Sequence, residues 1–228
     1  MDLKLPEVAK LLNVSESMLT EWLQEGKIPS YTLDGEPRFS RDEIETWMMT
    51  HTPKNSPFSQ KASTESSPGG QKQFGLFRAL HKGGIFSDLQ SETKEALISH
   101  NSKYIASLFD RDADILSEML LDREKLQSTA LGNGIAVPHT RDFLMRDHPD
   151  SVTLVFPKRP LEWGALDNKP VFACFFLFAS DDARHLHLLA KIAYLSSQPG
   201  ALELLAQRPS SEQFLDYVKS WESNVKQN

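Results

Sequence analysis

The chain has 228 residues, 39% of them hydrophobic and 25% charged, with a formal net charge of −6. This is the composition of a soluble globular protein, long enough for one ordinary domain plus a small one. No stretch reaches the roughly 18 apolar residues of a membrane span, and the start, MDLKLPEVAK, lacks a basic segment followed by an apolar core, so a secretory signal is not expected.

The N-terminal 50 residues read clearly. PEVAKLLNV places Val8, Leu11 and Leu12 at helical spacing, with Pro6 suited to a first turn. Ser15 is a good cap for SESMLTEWLQEGK, whose Leu19, Trp22 and Leu23 share a face and which Gly26 closes. IPSYTLDGEPRF gives two short extended pieces around Asp34-Gly35, a hairpin signal, and Ser40 with Glu43 forms a capping box opening RDEIETWMM. Helix, tight turn, helix, hairpin, helix is the order of a winged helix-turn-helix.

The stretch LPEVAKLLNVSESMLTEWLQEGKIP resembles the small excisionase- and MerR-like DNA-binding domains. The resemblance implies that the second helix reads bases in a major groove and the hairpin touches the backbone. Carried over, Ser17 lies on the reading helix, while Lys27, Arg38 and Arg41 meet phosphate. Charge argues the other way. Residues 1–50 hold five Lys/Arg and ten Asp/Glu, and the reading helix carries Glu16, Glu21 and Glu25 with no Lys or Arg before Lys27. Phosphate neutralisation supplies most non-specific affinity, and an acidic face gives that up. The alternative is that the module binds a protein or itself, with Trp22 and Trp47 serving only its core.

From His51 to Gly75 the chain turns to Pro, Ser, Gly, Gln and Lys, with Phe58 and Phe74 as its only aromatic residues besides His51 and no apolar period, the composition of a flexible linker. The expected organisation is therefore a winged helix-turn-helix over 1–50, a linker over 51–75 and a larger domain over 76–228. No internal repeat is visible.

The larger part alternates helical and extended patterns. SETKEALISHNSKYIASLF reads as a helix broken near Asn101, and DADILSEMLLDREKL as a second helix with Ile115, Met119 and Leu120 inward. SVTLVF and PVFACFFLFA are strands, the second apolar on both faces and so central. Its Cys174 is the only cysteine, which excludes an internal disulfide and a cysteine-based zinc cluster and fits a reducing cytoplasm. ARHLHLLAKIAYLSS and SSEQFLDYVKSWE, capped by Ser210 or Ser211, close the chain as helices. Strands interleaved with helices imply an α/β sandwich.

One segment carries chemistry: STALGNGIAVPHTR, Ser128 to Arg141. Gly132-Asn133-Gly134 allows close backbone approach and offers amides to an anion. Pro138 stiffens the entry to His139, Ser128 and Thr129 supply hydroxyls, and Arg123 ends the preceding helix. A chelating site is poorly served, because His185 and His187 lie two apart on a helix and no HExxH spacing exists. No GxSxG elbow supports a hydrolase. A histidine that accepts and donates a phosphoryl group remains, with a cation and donors for its oxygens. No metal and no cofactor is called for.

LLDREKLQSTALGNGIAVPHTR closely resembles the phosphorylation motif of the fructose/mannitol-type EIIA domains of the phosphotransferase system, a group that includes the nitrogen-regulatory branch. IFSDLQSETKEALI, PLEWGALDNKPVFACFFLFA and HLHLLAKIAYL match in order, so the resemblance covers nearly all of 76–228. It implies a mixed β-sheet flanked by helices. It also implies His139 as the phosphorylated residue at its distal ring nitrogen, Arg123 as the arginine that stabilises the phosphoryl group, and His185 as the second active-site histidine. His187 falls on a variable, surface position, His148 reads as solvated, and Ala130 stands where glycine is common. The implied donor is an HPr-type phosphocarrier protein. The phosphoryl group then passes to a downstream EIIB-like domain or remains as a signal. With no transporter segment and no EIIB-like cysteine loop, and with a helix-turn-helix attached, the reading favours a cytoplasmic signalling protein. Two rivals stay open: a DNA-binding transcription regulator whose EIIA-like half is only a sensor, and a phosphorylation-dependent protein-interaction regulator. The sequence leaves homo-oligomerisation undecided.

Overall fold

A computed structural model describes residues 2–12, 14–50, 75–140 and 148–224. The chain opens with β1 (Asp2–Lys4), α1 (Leu5–Leu12) and α2 (Glu16–Gln24). Ser15 caps α2 from extended backbone, its hydroxyl accepting the Met18 N–H at 3.2 Å. Asp34 and Gly35, at φ of 54° and 80°, turn β2 (Tyr31–Leu33) into β3 (Glu36–Ser40) with the positive-φ pair that a two-residue hairpin requires. The sequence pattern gave no sign of β1. It pairs antiparallel with the far edge of β3, Leu3 opposite Phe39, so the wing has three strands in the order β1-β3-β2. With α3 (Arg41–Thr50), these elements close over Val8, Leu12, Leu19, Phe39 and Ile44. Trp22 and Trp47 pack as a tilted pair, ring centroids 5.7 Å apart at 41°, and the Trp47 indole N–H donates to the Lys27 carbonyl at 2.7 Å.

The linker reading lies outside the described residues except at Gly75, which opens α4 (Gly75–Gly83). There follow β4 (Ile85–Leu89), α5 (Lys94–Phe109), α6 (Ala113–Leu126), β5 (Ala130–Gly132), β6 (Ile135–Ala136), β7 (Ser151–Pro157), β8 (Ala173–Phe178), α7 (Asp182–Leu195), α8 (Pro199–Ala206) and α9 (Ser211–Asn224). The sheet runs β4-β7-β8-β6-β5. Its central pair β7/β8 is antiparallel, β4 joins β7 and β6 joins β8 in parallel, and β5 folds back antiparallel on β6. This is the mixed sheet flanked by helices that the resemblance implies.

Every residue of β8 is buried, and strand alternation divides it between two layers. Ala173, Phe175 and Leu177 pack with residues of α4, α7, α8 and α9, while Cys174, Phe176 and Phe178 pack with α5 and α6. Burial pushes the Cys174 thiol well up, so it is an inert core residue. Ser210 caps α9 reciprocally with Gln213, each backbone N–H donating to the other's side chain at 3.2 and 3.0 Å. Glu222 returns from α9 to accept the Leu76 and Phe77 N–H groups at 3.1 and 3.0 Å, tying the first turn of α4 to the end of the chain.

Three local readings need correction. α5 continues through Asn101, which is buried within it, because a single Asn costs a helix only a few tenths of a kcal/mol. In α6 the inward stripe is Leu116 and Leu120, and Ile115 is 55% exposed, one residue out of phase. His148 is half-buried and lies edge-on to Phe109, ring centroids 5.2 Å apart, instead of standing in solvent. Two helices, α4 and α8, carried no recognised signal, although Pro199 begins α8 at the position where its missing N–H costs nothing.

The small N-terminal unit is seated on the larger one. α1 and α3 pack against α7, and α3 reaches β5. Val8, Leu11, Leu12, Met48 and Met49 share one continuous apolar cluster with Leu186 and Leu189. Among the described residues no helix is long and apolar enough to cross a membrane.

Gly83 sits where α4 touches β7, and a Cβ there would overlap the Val152 carbonyl. Gly83→Ala is expected to lower unfolding stability by about 1–3 kcal/mol through backbone displacement, checked by urea denaturation.

Candidate active site

Alternation along β6 sends Ile135 and Val137 toward the α7 layer, and His139, bridged to Leu177 of β8, continues on that side. Its Nδ1 faces the Val137 carbonyl at 2.7 Å, which fixes the ring and points Nε2 outward from the strand. α7 begins with Asp181 as its cap, the carboxylate accepting the Arg184 N–H at 2.9 Å. That sets His185 in the first turn, its ring 5.0 Å from that of His139 at an interplanar angle of 61°. Arg123 arrives from the opposite layer, on the last turn of α6, and is anchored by donating from Nη1 to the Gln127 carbonyl at 3.0 Å.

These three side chains converge on one carboxylate, that of Glu45 on α3. Its Oε1 lies 2.8 Å from His139 Nε2 and 2.9 and 3.3 Å from Nη2 and Nε of Arg123, and its Oε2 is 3.7 Å from His185 Nε2. All four residues are at most 4% exposed. Burial by itself would raise the Glu45 carboxyl, but interaction with His139 and His185 outweighs it and holds the group far below the usual carboxylate range. Burial pushes His185 down to about 4, against the opposing pull of Glu45.

Sequence reasoning missed Glu45. A signal was present: α3 buries Ile44 and Met48, and Glu45 stands with them on the inward stripe, where an acid is rare unless paired. The partner, however, lies in a different unit, 78 residues away for Arg123 and 94 for His139.

The remaining loop residues are placed differently from the reading. Phe172 donates to the Gly134 carbonyl and Leu177 to that of Pro138, so five strand residues, roughly 16 Å, separate the Gly132–Gly134 turn from the histidine end of the site. The Asn133 N–H is already committed to Asp167 at 2.8 Å. The turn joins β5 to β6 and does not cradle the His139 ring. Thr129 gives its hydroxyl to Glu124 at 2.5 Å, and Ser128 donates to the Trp163 carbonyl at 3.0 Å. Both therefore brace the walls.

Of the residues read as DNA contacts, Ser17 and Lys27 are exposed, Lys27 pairing with Glu25 at 2.6 Å, and Arg38 is half-buried beside Glu36. Arg41 departs from the reading. It turns toward α7 and meets Asp182 at 2.5 Å, because α3 is docked there.

Glu45, His139 and His185 offer donor atoms within 4.8 Å of one another, a spacing a metal ion could use. The Arg123 guanidinium at 2.9 Å from the same carboxylate oxygen opposes a further cation. The cluster is better suited to hold an anion.

A model of the family described as phosphoenolpyruvate-dependent sugar phosphotransferase system, EIIA 2, matches residues 78–221, and a helix-turn-helix domain model matches residues 3–52. Over 146 residues the chain is 30% identical to a nitrogen regulatory protein of Pseudomonas aeruginosa, covering 63% of this chain and 94% of that protein. It is 27% identical over 159 residues to the transcriptional regulator ManR of Bacillus subtilis, covering 68% of this chain and 23% of that one. The crystal structure of nitrogen regulatory protein IIA-Ntr from Neisseria meningitidis superposes with a TM-score of 0.57 at 26% identity, over 63% of this chain and 98% of that one. With its mixed sheet, its His139–His185–Arg123 pocket and a match over most of its length, the chain belongs to the phosphotransferase system EIIA 2 family and carries an N-terminal helix-turn-helix domain.

Proposed function

We propose that the protein is a cytoplasmic signalling phosphocarrier: His139 Nε2 accepts a phosphoryl group from an HPr-type phosphocarrier protein, and the helix-turn-helix domain conveys the outcome. In this reading residues 1–50 form the output unit, 51–75 the connection and 76–228 the phosphotransfer domain. The observation that carries it is the convergence of Arg123, His139 and His185 on a single anionic group. A phosphoryl group in transfer needs a nucleophilic nitrogen, a fixed cation for its spreading charge and a site free of bulk water. His139 Nε2 supplies the first. Its Nδ1 proton, donated to the Val137 carbonyl, selects the tautomer whose Nε2 lone pair can attack. Arg123 supplies the second from a rigid anchor on Gln127. His185, neutral in its buried setting, can donate one hydrogen bond to a phosphoryl oxygen and gain a proton once the dianion is present.

The names of the relatives, a nitrogen regulatory protein and a transcriptional regulator, support a regulatory role over a step of sugar uptake. A downstream EIIB-like acceptor remains the alternative fate of the phosphoryl group. DNA binding has one observation in its favour: Glu16, Ser17, Thr20, Glu21 and Gln24 of α2, with the β2–β3 wing, face solvent while α1 and α3 are engaged. The acidic side chains among them count for a protein target. Retention of the protein on duplex DNA, with affinity falling steeply as salt rises, separates the two.

Incubation with phosphoenolpyruvate, the general phosphotransferase enzyme and the carrier should label the protein on His139. His139→Ala should abolish labelling, and Arg123→Ala should slow it by about 10²-fold or more, as expected for removing a charge-stabilising donor. Equal labelling of His139→Ala and wild type would refute the assignment. A second expectation concerns pH. Folded His185 titrates at about 4 against 6.5 for a free histidine, so between these values the unfolded chain binds a proton that the folded one does not. Its contribution to stability is full above pH 6.5 and falls as pH drops toward 4, by up to about 1.4 kcal/mol per unit. Glu45 acts only below the ordinary carboxylate value of 4.5. His185→Gln should therefore flatten the stability slope between pH 6.5 and 4.5 in denaturant titrations.

A further inference from the structure

The helix-turn-helix unit does more than sit beside the phosphoacceptor pocket. Every hydrogen-bond and ion-pair partner of the Glu45 side chain given above, Arg123, His139 and His185, belongs to the other unit. A carboxylate buried on the inward stripe of α3 is thus of no use to the fold of its own domain. Its position is also where chemistry must happen. Oε1 stands 2.8 Å from His139 Nε2 with Arg123 on its other side. A phosphorus bonded to Nε2, and the oxygens around it, would need the same volume and the same donors.

We propose that the helix-turn-helix unit is a removable plug for this pocket, in which Glu45 holds the place of a phosphoryl group, so that docking of α3 and phosphorylation of His139 exclude one another. The inference rests on the phosphoacceptor reading of His139 and concerns how that residue is controlled.

Two further features act in the same direction. His139 is 0% exposed, so a carrier protein cannot bring its own phosphohistidine to it while α3 is seated. The ring also faces acceptors at both nitrogens, the Val137 carbonyl at Nδ1 and Glu45 at Nε2. A proton therefore lies between Nε2 and the carboxylate, and a nitrogen that shares its lone pair with a proton cannot attack phosphorus. When α3 leaves, that proton goes with the carboxylate or to water. The carrier's N–P bond can then break, its electron pair returning to the carrier's ring, as Nε2 forms the new N–P bond.

At the rim, Arg41 pairs with Asp182, and the Thr46 hydroxyl donates to Gln127 at 3.2 Å, beside the apolar packing of α1 and α3 on α7. These contacts make seating a cooperative event. Because coupling is reciprocal, a partner that binds the undocked unit shifts the equilibrium toward phosphorylated His139, and phosphorylation raises the affinity of that partner.

The test needs no phosphoryl donor in its first arm. Full-length protein is treated with diethylpyrocarbonate and modification of each histidine is read by peptide mass. His81 and His100, both exposed, serve as internal standards. Wild-type His139 should be protected. Glu45→Ala should react at least about tenfold faster at His139, the effect of losing a hydrogen bond to a charged group, with the standards unchanged. Arg41→Ala, which removes none of the hydrogen bonds to Glu45 or His139, should fall between them and carries the test should Glu45→Ala fold poorly. Equal reactivity of His139 in wild type and both variants would overturn the plug. The second arm follows labelling from the phosphorylated carrier: Glu45→Ala and Arg41→Ala should label faster than wild type. Protection released in the first arm with no labelling of any variant would keep the plug and defeat the phosphoacceptor assignment instead.

Discussion

A single buried carboxylate holds this arrangement together. Removing the charge of Glu45 from water costs several kcal/mol even after relaxation, and the protein interior returns that only if the partners are close and well aimed. Here they are: a guanidinium at 2.9 Å, one imidazole nitrogen at 2.8 Å and a second at 3.7 Å. The same contact that keeps α3 seated also fills the pocket, so the position of the small unit and the state of the active site form one equilibrium. Each partner left without the carboxylate would be a buried polar group in need of a substitute, which makes an anion the natural occupant.

The sheet explains why three residues from distant parts of the chain can meet. Alternation along β6 and β8 fixes which layer each side chain enters, and His139 and His185 share the α7 layer. Arg123 comes from α6 in the other layer, past the β5 edge, and is anchored by its bond to the Gln127 carbonyl. α3 reaches β5, the edge past which Arg123 comes. A pocket at the edge of a mixed sheet is open to whatever element covers that edge, and in this chain the covering element is covalently attached.

Much of this was legible beforehand, and the failures share a cause. Periodicity and caps located α1, α2, α3, β7, β8, α7 and α9, since those signals are local: Ser15 before α2, Asp34-Gly35 between β2 and β3, Ser210 with Gln213 at α9. β1 was invisible because three residues gain strand character only from the edge of β3. Ile115 was misphased by one residue, since Ile115 and Leu116 are adjacent and only packing against α5 chooses between them. The motif brought Arg123, His139 and His185 together correctly in space. Gly132, Asn133 and Gly134 misled because glycines near a histidine suit a phosphate cradle and a tight hairpin equally well, and only the register with β8 shows which it is. The inward place of Glu45 was readable from the period of α3, but its partners were not, as they lie in the other unit.

The sign of the pocket follows from the same arithmetic. With Glu45 in place, the carboxylate lies against Arg123 and α3 covers the pair, so the site presents little field to the outside. Withdraw α3 and the pocket becomes a recessed cationic spot on a chain whose formal charge is −6. Low-dielectric walls around such a recess concentrate its field. An anionic group diffusing over an otherwise repulsive surface then has one place toward which it is drawn. The guanidinium that fastens the closed form thus becomes, in the open form, the beacon for the incoming phosphate.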